Sequence, residues 1–314
     1  MKKTLSLILA LCLSLSLAAC GGSGSGSSSA SGSNLTPSGP PPASASAPET
    51  PAQPSEEPRQ EQEPAQETPD SDLAYVKANG SMIIGYTVYE PMNYTDENGN
   101  FTGFDTELAQ AVCEKLGVTP EFVVINWDTK EVALEAKDID CIWNGLTLTP
   151  AREANMACTV PYVKNAQVVV VKEGFDYTDT ASLIGATVCA EIGSAGEEQI
   201  IGNYDDPEDP IDPDPNLAQA DYVGKSVQTD CLMEVKAGTA DAAVLDMTLA
   251  NSMTGEGTNY SDLKIVDYLA QEEYGVAFRQ GSDIRDAVND IFADMVADGS
   301  LQALAQQYGL ELAD

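Results

Sequence analysis

From about residue 81 onward, short apolar runs alternate with stretches whose apolar residues recur every three or four positions. Ser81 to Val88 reads as a strand, and Asp96-Glu97-Asn98-Gly99, within Tyr94 to Phe101, as a turn of the hairpin type. Leu108, Ala111, Val112 and Leu116 share a helical face, with Asp105 as the expected cap and Gly117 as the stop. Glu121 to Ile125 and Ile139 to Trp143 are the next expected strands, around a helix from Thr129 to Lys137. Further strands are expected near Gln167 to Lys172, Thr187 to Glu191 and Ala240 to Leu245, with helices starting near Ser194 and around Thr229 to Ala237. Ile284, Val288, Ile291, Phe292 and Met295 line one side of a helix running to Ala297, and Leu301 to Tyr308 closes the chain. This alternation predicts an α/β fold with helices flanking mainly parallel sheets.

The first 72 residues follow neither pattern. Lys2 and Lys3 precede a Leu-rich run from Leu5 to Leu17, and Leu17-Ala18-Ala19-Cys20 matches the lipobox at which a lipoprotein precursor is cut and its cysteine lipidated. The run is short for a membrane span. Residues 1–19 are therefore expected to be a lipoprotein signal peptide and Cys20 a diacylated anchor at the outer face of a membrane, since two acyl chains hold stably where one does not. Residues 20–72 are Gly/Ser-rich and then Pro/Ala/Ser/Glu-rich, with few large apolar side chains, and are expected to form a disordered tether spanning on the order of 40 Å.

Composition removes several kinds of chemistry. The 314 residues contain no histidine, which excludes His-based acid–base catalysis, His metal ligands and the triads built on His. The formal net charge of −35 repels nucleic acid and anionic headgroups. After Cys20, the cysteines at 113, 141, 158, 189 and 231 form no C-x-x-C pair and are odd in number, so no metal site or cofactor is expected. Cys113, in an expected helix, and Cys141 and Cys189, in expected strands, suit small buried hydrophobes, and most are expected to be free. Asp205 to Asn216 is rich in Asp and Pro but lacks the spacing and glycine of an EF-hand, so a solvated, stiff loop is expected.

The stretch Asp140-Cys-Ile-Trp-Asn-Gly-Leu-Thr-Leu-Thr-Pro-Ala-Arg152 places a cation five residues after a hydroxyl at the end of an apolar strand. An arginine fork, backbone N–H groups of the turn and the Thr147 hydroxyl together suit a carboxylate; a surface arginine is the alternative. With Gly99-Asn-Phe-Thr-Gly-Phe-Asp-Thr-Glu-Leu-Ala-Gln-Ala-Val-Cys-Glu-Lys-Leu-Gly117 upstream and Val160-Pro-Tyr162 downstream, residues 73–314 resemble the solute-binding proteins of polar amino-acid ABC importers, of the periplasmic-binding-protein type II fold. The resemblance implies two α/β lobes with the ligand cleft between them, residues 73–165 with 272–314 forming one and 166–271 the other. It also implies an extracytoplasmic monomer that hands an amino acid to a permease and its ATPase.

On that resemblance Arg152 takes the ligand's carboxylate, and Asp246, at the end of Gly238-Thr-Ala-Asp-Ala-Ala-Val-Leu-Asp246, accepts its ammonium; Asp241 is structural. Gly193, Ser194 and Ala195 form the opposing strand-to-helix turn, whose amides and helix dipole suit an anion. Tyr89 and Trp127 match positions that stack on ligand. Asn144 and Gly145 occupy the turn before Thr147 where serine or alanine is frequent, and Thr87 stands where binders of basic amino acids often carry an acid, which weakens the expectation of a Lys or Arg side chain while Asp128 and Glu90 leave it open. Two other readings share the fold: a cyclohexadienyl or arogenate dehydratase-like enzyme, with Glu90 or Asp128 as the acid, and an amino-acid sensor that does not transport. Which amino acid is bound is not legible.

Overall fold

The computed structural model describes residues 71–204 and 210–314. The signal segment, the Cys20 lipobox, nearly all of the tether and residues 205–209 of the acidic insertion lie outside the described residues. The first part of the body runs through α1 (Asp72–Asn79), β1 (Ser81–Tyr86), the short hairpin β2 (Tyr94–Thr95) and β3 (Phe101–Thr102), α2 (Phe104–Leu116) and β4 (Thr119–Val124). It continues through α3 (Lys130–Glu135), β5 (Cys141–Thr147), α4 (Pro150–Asn155) and β6 (Ala157–Cys158). Then follow β7 (Val163–Lys172), β8 (Thr187–Glu191), α5 (Ala195–Ile201), β9 (Asp221–Lys225), α6 (Gln228–Ala237), β10 (Ala242–Asp246) and α7 (Met247–Met253). The chain closes with β11 (Leu263–Phe278), α8 (Ile284–Ala297) and α9 (Ser300–Gln307).

Nine strands form one continuous sheet in the order β4-β1-β5-β11-β7-β10-β8-β9, with β6 beside β11. β4, β1 and β5 are parallel, as are β10, β8 and β9. Between these parallel sets run the two long strands β7 and β11, paired antiparallel from Leu263↔Lys172 to Tyr274↔Val163. The junctions expected at 165/166 and 271/272 fall inside this pair, where Ala166 faces Gln271. β5 is buried along its whole length because both its faces are covered, which is why it reads as an unbroken apolar run. α2 buries Phe104, Leu108, Val112 and Leu116, and α8 buries Ile284, Val288, Phe292 and Met295.

Several expectations need correction. Asp105 does not cap α2: Gly103 holds the cap position, and Asp105 points into the core. The first strand stops at Tyr86 because the Asn144 side chain takes over the polar groups of Thr87, accepting from its N–H and hydroxyl and donating to its carbonyl. Asn144 and Gly145 lie within β5, not in a turn after it. Ser71 and Asp72 belong to the folded body and not to the tether, since the Ser71 hydroxyl donates to Asp283 at 2.5 Å and Asp72 meets Arg279. β11, α1, α4, α7 and β9 have no counterpart among the sequence expectations.

Cys113, Cys141, Cys189 and Cys231 are buried free thiols, and Cys158 is half-buried and free. In the described part of the acidic insertion, Asp214 accepts from the N–H groups of Asn216 and Leu217, and Ile211 bridges to Asn203.

Arg279, just beyond β11, fastens the returning chain. Its guanidinium meets Asp72 at 3.0 Å and Asp140 at 3.1 Å and donates to the carbonyls of Ile139 and Leu134. Removing one partner of such a network leaves buried Asp140 uncompensated. Arg279→Ala is therefore expected to lower unfolding stability by about 3 kcal/mol. Urea unfolding measures this, and a change below about 0.5 kcal/mol contradicts the role.

Candidate functional site

Tyr89, Trp127, Asn144, Gly145, Thr147, Arg152, Ser194, Ala195 and Asp246 line one cavity, joined by Thr87, Glu191 and Gln228. Gly193 lines the neighbouring cleft instead, together with Lys130, Asp128 and Glu198. The inner cavity has a volume of about 10 Å³, room for about one water molecule.

Arg152 is buried at the third residue of α4, whose N-cap Thr149 accepts the Arg152 N–H. Its Nη1 donates to the Thr147 carbonyl at 2.9 Å. Its Nη2 reaches the Gly193 carbonyl and Glu198 Oε1, each at 3.4 Å. One guanidinium therefore joins the end of β5 to the turn between β8 and α5. Lys130 reinforces the link: its Nζ donates to the carbonyls of Trp127 and Gly193 and sits 5.0 Å from the centre of the Trp127 ring. Burial, aided by the Arg152 charge, lowers the Lys130 ammonium to about 8.

Across the cavity, Asp246 ends β10 and makes no capping bond to α7. Its Oδ1 accepts from Asn165 Nδ2 at 2.9 Å and Gln167 Nε2 at 2.5 Å, and its Oδ2 accepts from Gln228 Nε2. The amides of Asn165 and Gln167 also donate to Glu272 Oε1, as does the Thr147 hydroxyl. Two carboxyl groups thus crowd one set of donors. Burial and the adjacent Asp246 raise the Glu272 carboxyl well above the usual range. Glu191 is pushed to about 8 by burial and then by Asp246.

Some expected ligand contacts are spent inside the protein. The Thr147 hydroxyl serves Glu272, and all the hydrogen-bonding arms of Asn144 serve Thr87 and Asn93. Gly145 has φ +58°, and an added Cβ would lie 2.7 Å from the Tyr89 ring, so glycine is required there. Its N–H donates to Asp105, which also accepts from Tyr162 and is raised to about 7 by burial. The Gly193 N–H donates to Glu197, the Ser194 N–H to the Glu191 carbonyl, and the Ser194 hydroxyl caps α5. Tyr89 is pinned by its hydroxyl to Thr248 and to Tyr274. Asp241 accepts from the Thr187 N–H, a structural contact. Glu90, held by Ser252, and Asp128 both stand outside the inner cavity.

Sequence reasoning missed Gln228, which lines the cavity, and Glu272, Asn165 and Gln167, which gather around Asp246. Gln228 falls one residue outside the expected helix, and Glu272 becomes a neighbour of Asp246 only through the pairing of β7 with β11.

Residues 82–311 match the bacterial extracellular solute-binding proteins, family 3. The chain belongs to that family. The L-cystine-binding protein TcyJ of Escherichia coli is 29% identical over 248 residues, covering 75% of this chain and 85% of that protein. A mutant of ArgBP from T. maritima superposes with a TM-score of 0.67 at 28% identity, covering 76% of this chain and 98% of that one. The ancestral amino acid-binding protein AncCDT-1, a precursor of cyclohexadienyl dehydratase, gives a TM-score of 0.65 at 27% identity over 76% and 99% of the two chains. The family and these named relatives are binding proteins, and no helix among the described residues of this family 3 member is long and apolar enough to cross a membrane.

The raised acids give a pH signature. Glu272 has a folded pKa above its unfolded value, so the folded state binds more protons between the two and stability falls as pH rises through that window. With no histidine in the chain, the interval from pH 5.5 to 7.5 is free of imidazole titration. Thermal melts are expected to show Tm falling across this interval, and Glu272→Gln to reduce the fall. A Tm that rises with pH there contradicts the assignment.

Proposed function

We propose that this chain is the substrate-binding lipoprotein of an ABC importer for a polar amino acid. The observation that carries the reading is the convergence of a buried arginine and a buried aspartate on one cavity from the two halves of the sheet. A zwitterion buried in a dehydrated site needs a partner for each charge. Arg152 takes the carboxylate, exchanging its 3.4 Å contacts to Gly193 and Glu198 for a bidentate pair. Asp246 takes the ammonium, which also relieves its repulsion with Glu272. Tyr89 and Trp127 supply apolar walls.

A cavity with room for one water does not admit an amino acid unless its walls part. In this reading residues 73–165 with 272–314 and residues 166–271 act as two lobes that separate about β7 and β11 and close on the ligand. The closed form is favoured by the contacts that both lobes make to one molecule. Cys20 and the Pro-rich segment after it tether the lobes to the outer face of a membrane, within reach of the permease and its ATPase.

A thermal-shift screen of the amino acids and cystine identifies the ligand, and calorimetry on variants tests the site. Hydrogen bonds to charged groups are worth about 1.5–3 kcal/mol each, so Arg152→Ala is expected to weaken binding by roughly two to four powers of ten. Asp246→Asn is expected to cost less, and Trp127→Ala to weaken different amino acids unequally. Binding by Arg152→Ala within about threefold of wild type, less than a single charged hydrogen bond is worth, contradicts the carboxylate assignment.

A further inference from the structure

The zwitterion leaves one acid of the cavity unused. Glu191 ends β8, is 3% exposed, and lines the same cavity as Arg152 and Asp246. Its Oε1 has no hydrogen-bond partner among the described residues. The groups facing it are Asp246 from the end of β10, Lys130 from α3, and from α6 Asp230 and Gln228, the last of which hydrogen-bonds its carboxyl group. Lys130 does not fill the gap, because its ammonium is turned to the carbonyls of Trp127 and Gly193. A buried carboxyl oxygen without a donor, on a residue that lines a cavity, is costly unless something entering that cavity supplies one.

We propose that Glu191 receives a protonated nitrogen at the far end of the ligand's side chain, making the site selective for amino acids that are cationic there. The inference rests on the amino-acid reading above and adds the side-chain class to it. The backbone charges of the ligand are matched by Arg152 and Asp246, so a third charged group on the ligand falls to Glu191. Thr87, whose lack of charge weakened the expectation of a basic ligand, donates to Asn144. The acid proposed here stands on β8 instead. Because burial and Asp246 hold the Glu191 carboxyl at about 8, it carries its proton at neutral pH without ligand. A cationic side chain ionises it, and the proton leaves to solvent. A neutral side chain leaves the proton in place. Affinity for a cationic ligand, relative to its neutral isostere, consequently rises with pH up to about 8.

The test is calorimetry on the full chain at pH 7, in two buffers of different ionisation enthalpy. The probes are lysine against norleucine, arginine against citrulline, and cystine, whose far end carries an ammonium beside a carboxylate. Wild type is expected to bind the better of the two basic amino acids at least about tenfold more tightly than its neutral isostere, and to release about one proton more with it. Glu191→Gln is expected to reduce the preference to about twofold and abolish the extra proton, while binding the neutral isostere within about threefold of wild type, which shows that the variant is folded. Cystine as the tightest probe, with its affinity falling in Glu191→Gln, identifies a distal ammonium as the source of the cation; lysine or arginine as the tightest identifies a basic side chain. A preference for the neutral isosteres, a cationic preference that survives Glu191→Gln, or an equal loss of both members of each pair overturns the role of Glu191 and leaves the amino-acid reading standing. If wild type binds no amino acid, both readings fall together.

Discussion

A guanidinium taken out of water must be met by acceptors from whatever surrounds it, and the placement of Arg152 imposes that demand on both halves of the molecule. Its carbonyl partner at Thr147 belongs to β5, whereas Gly193 and Glu198 belong to the turn and helix after β8. Lys130 meets the same Gly193 carbonyl from α3. Two cations therefore grip one turn of the opposing half. The acceptors that meet Arg152 from the opposing half are single contacts at 3.4 Å, longer than its 2.9 Å bond to Thr147 and weaker than a bidentate carboxylate pair would be.

The rest of the fold serves that confrontation. β7 and β11 run through both parallel sets, so the sheet is mechanically continuous, yet β5 and β10 reach the cavity from its opposite sides. Each wall is held by polar contacts that do not depend on the ligand. Asn144 locks the end of β1, Asp105 holds the left-handed kink at Gly145, and Thr248 with Tyr274 fixes the Tyr89 hydroxyl. A site organised in this way loses little side-chain entropy when its ligand arrives. Its acids are the exception: burial and the neighbouring Asp246 raise the carboxyls of Glu191 and Glu272.

Much of this was legible in the sequence because the local patterns are strong. The apolar run of β5 followed by Thr147 and Arg152, and the strand ending in Asp246, marked the two ends of the cavity without any coordinates. Helical spacing likewise marked the buried faces of α2 and α8. β11 was not legible: between Leu263 and Tyr274 it interleaves Lys264, Asp267, Glu272 and Glu273 with apolar residues, and its irregular pairing with β7 shifts register twice, which blurs a period of two. The pairing of Glu272 with Asp246 depends on that missed strand. Asn144 and Gly145 were placed at the right point of the chain but assigned to the wrong element, because a left-handed glycine inside a strand reads as a turn. The same ambiguity hid the internal use of the Thr147 hydroxyl and of the Gly193 and Ser194 amides, which only tertiary contacts disclose.

A crystal structure of the chain grown with the amino acid that most raises its melting temperature is the most direct measurement. The account predicts the ligand's carboxylate paired with both terminal nitrogens of Arg152 at about 2.8–3.0 Å and its ammonium on Asp246, with the Arg152–Glu198 contact broken. A ligand bound away from these two residues, or one whose carboxylate sits on another cation while Arg152 keeps its contacts to Gly193 and Glu198, contradicts it.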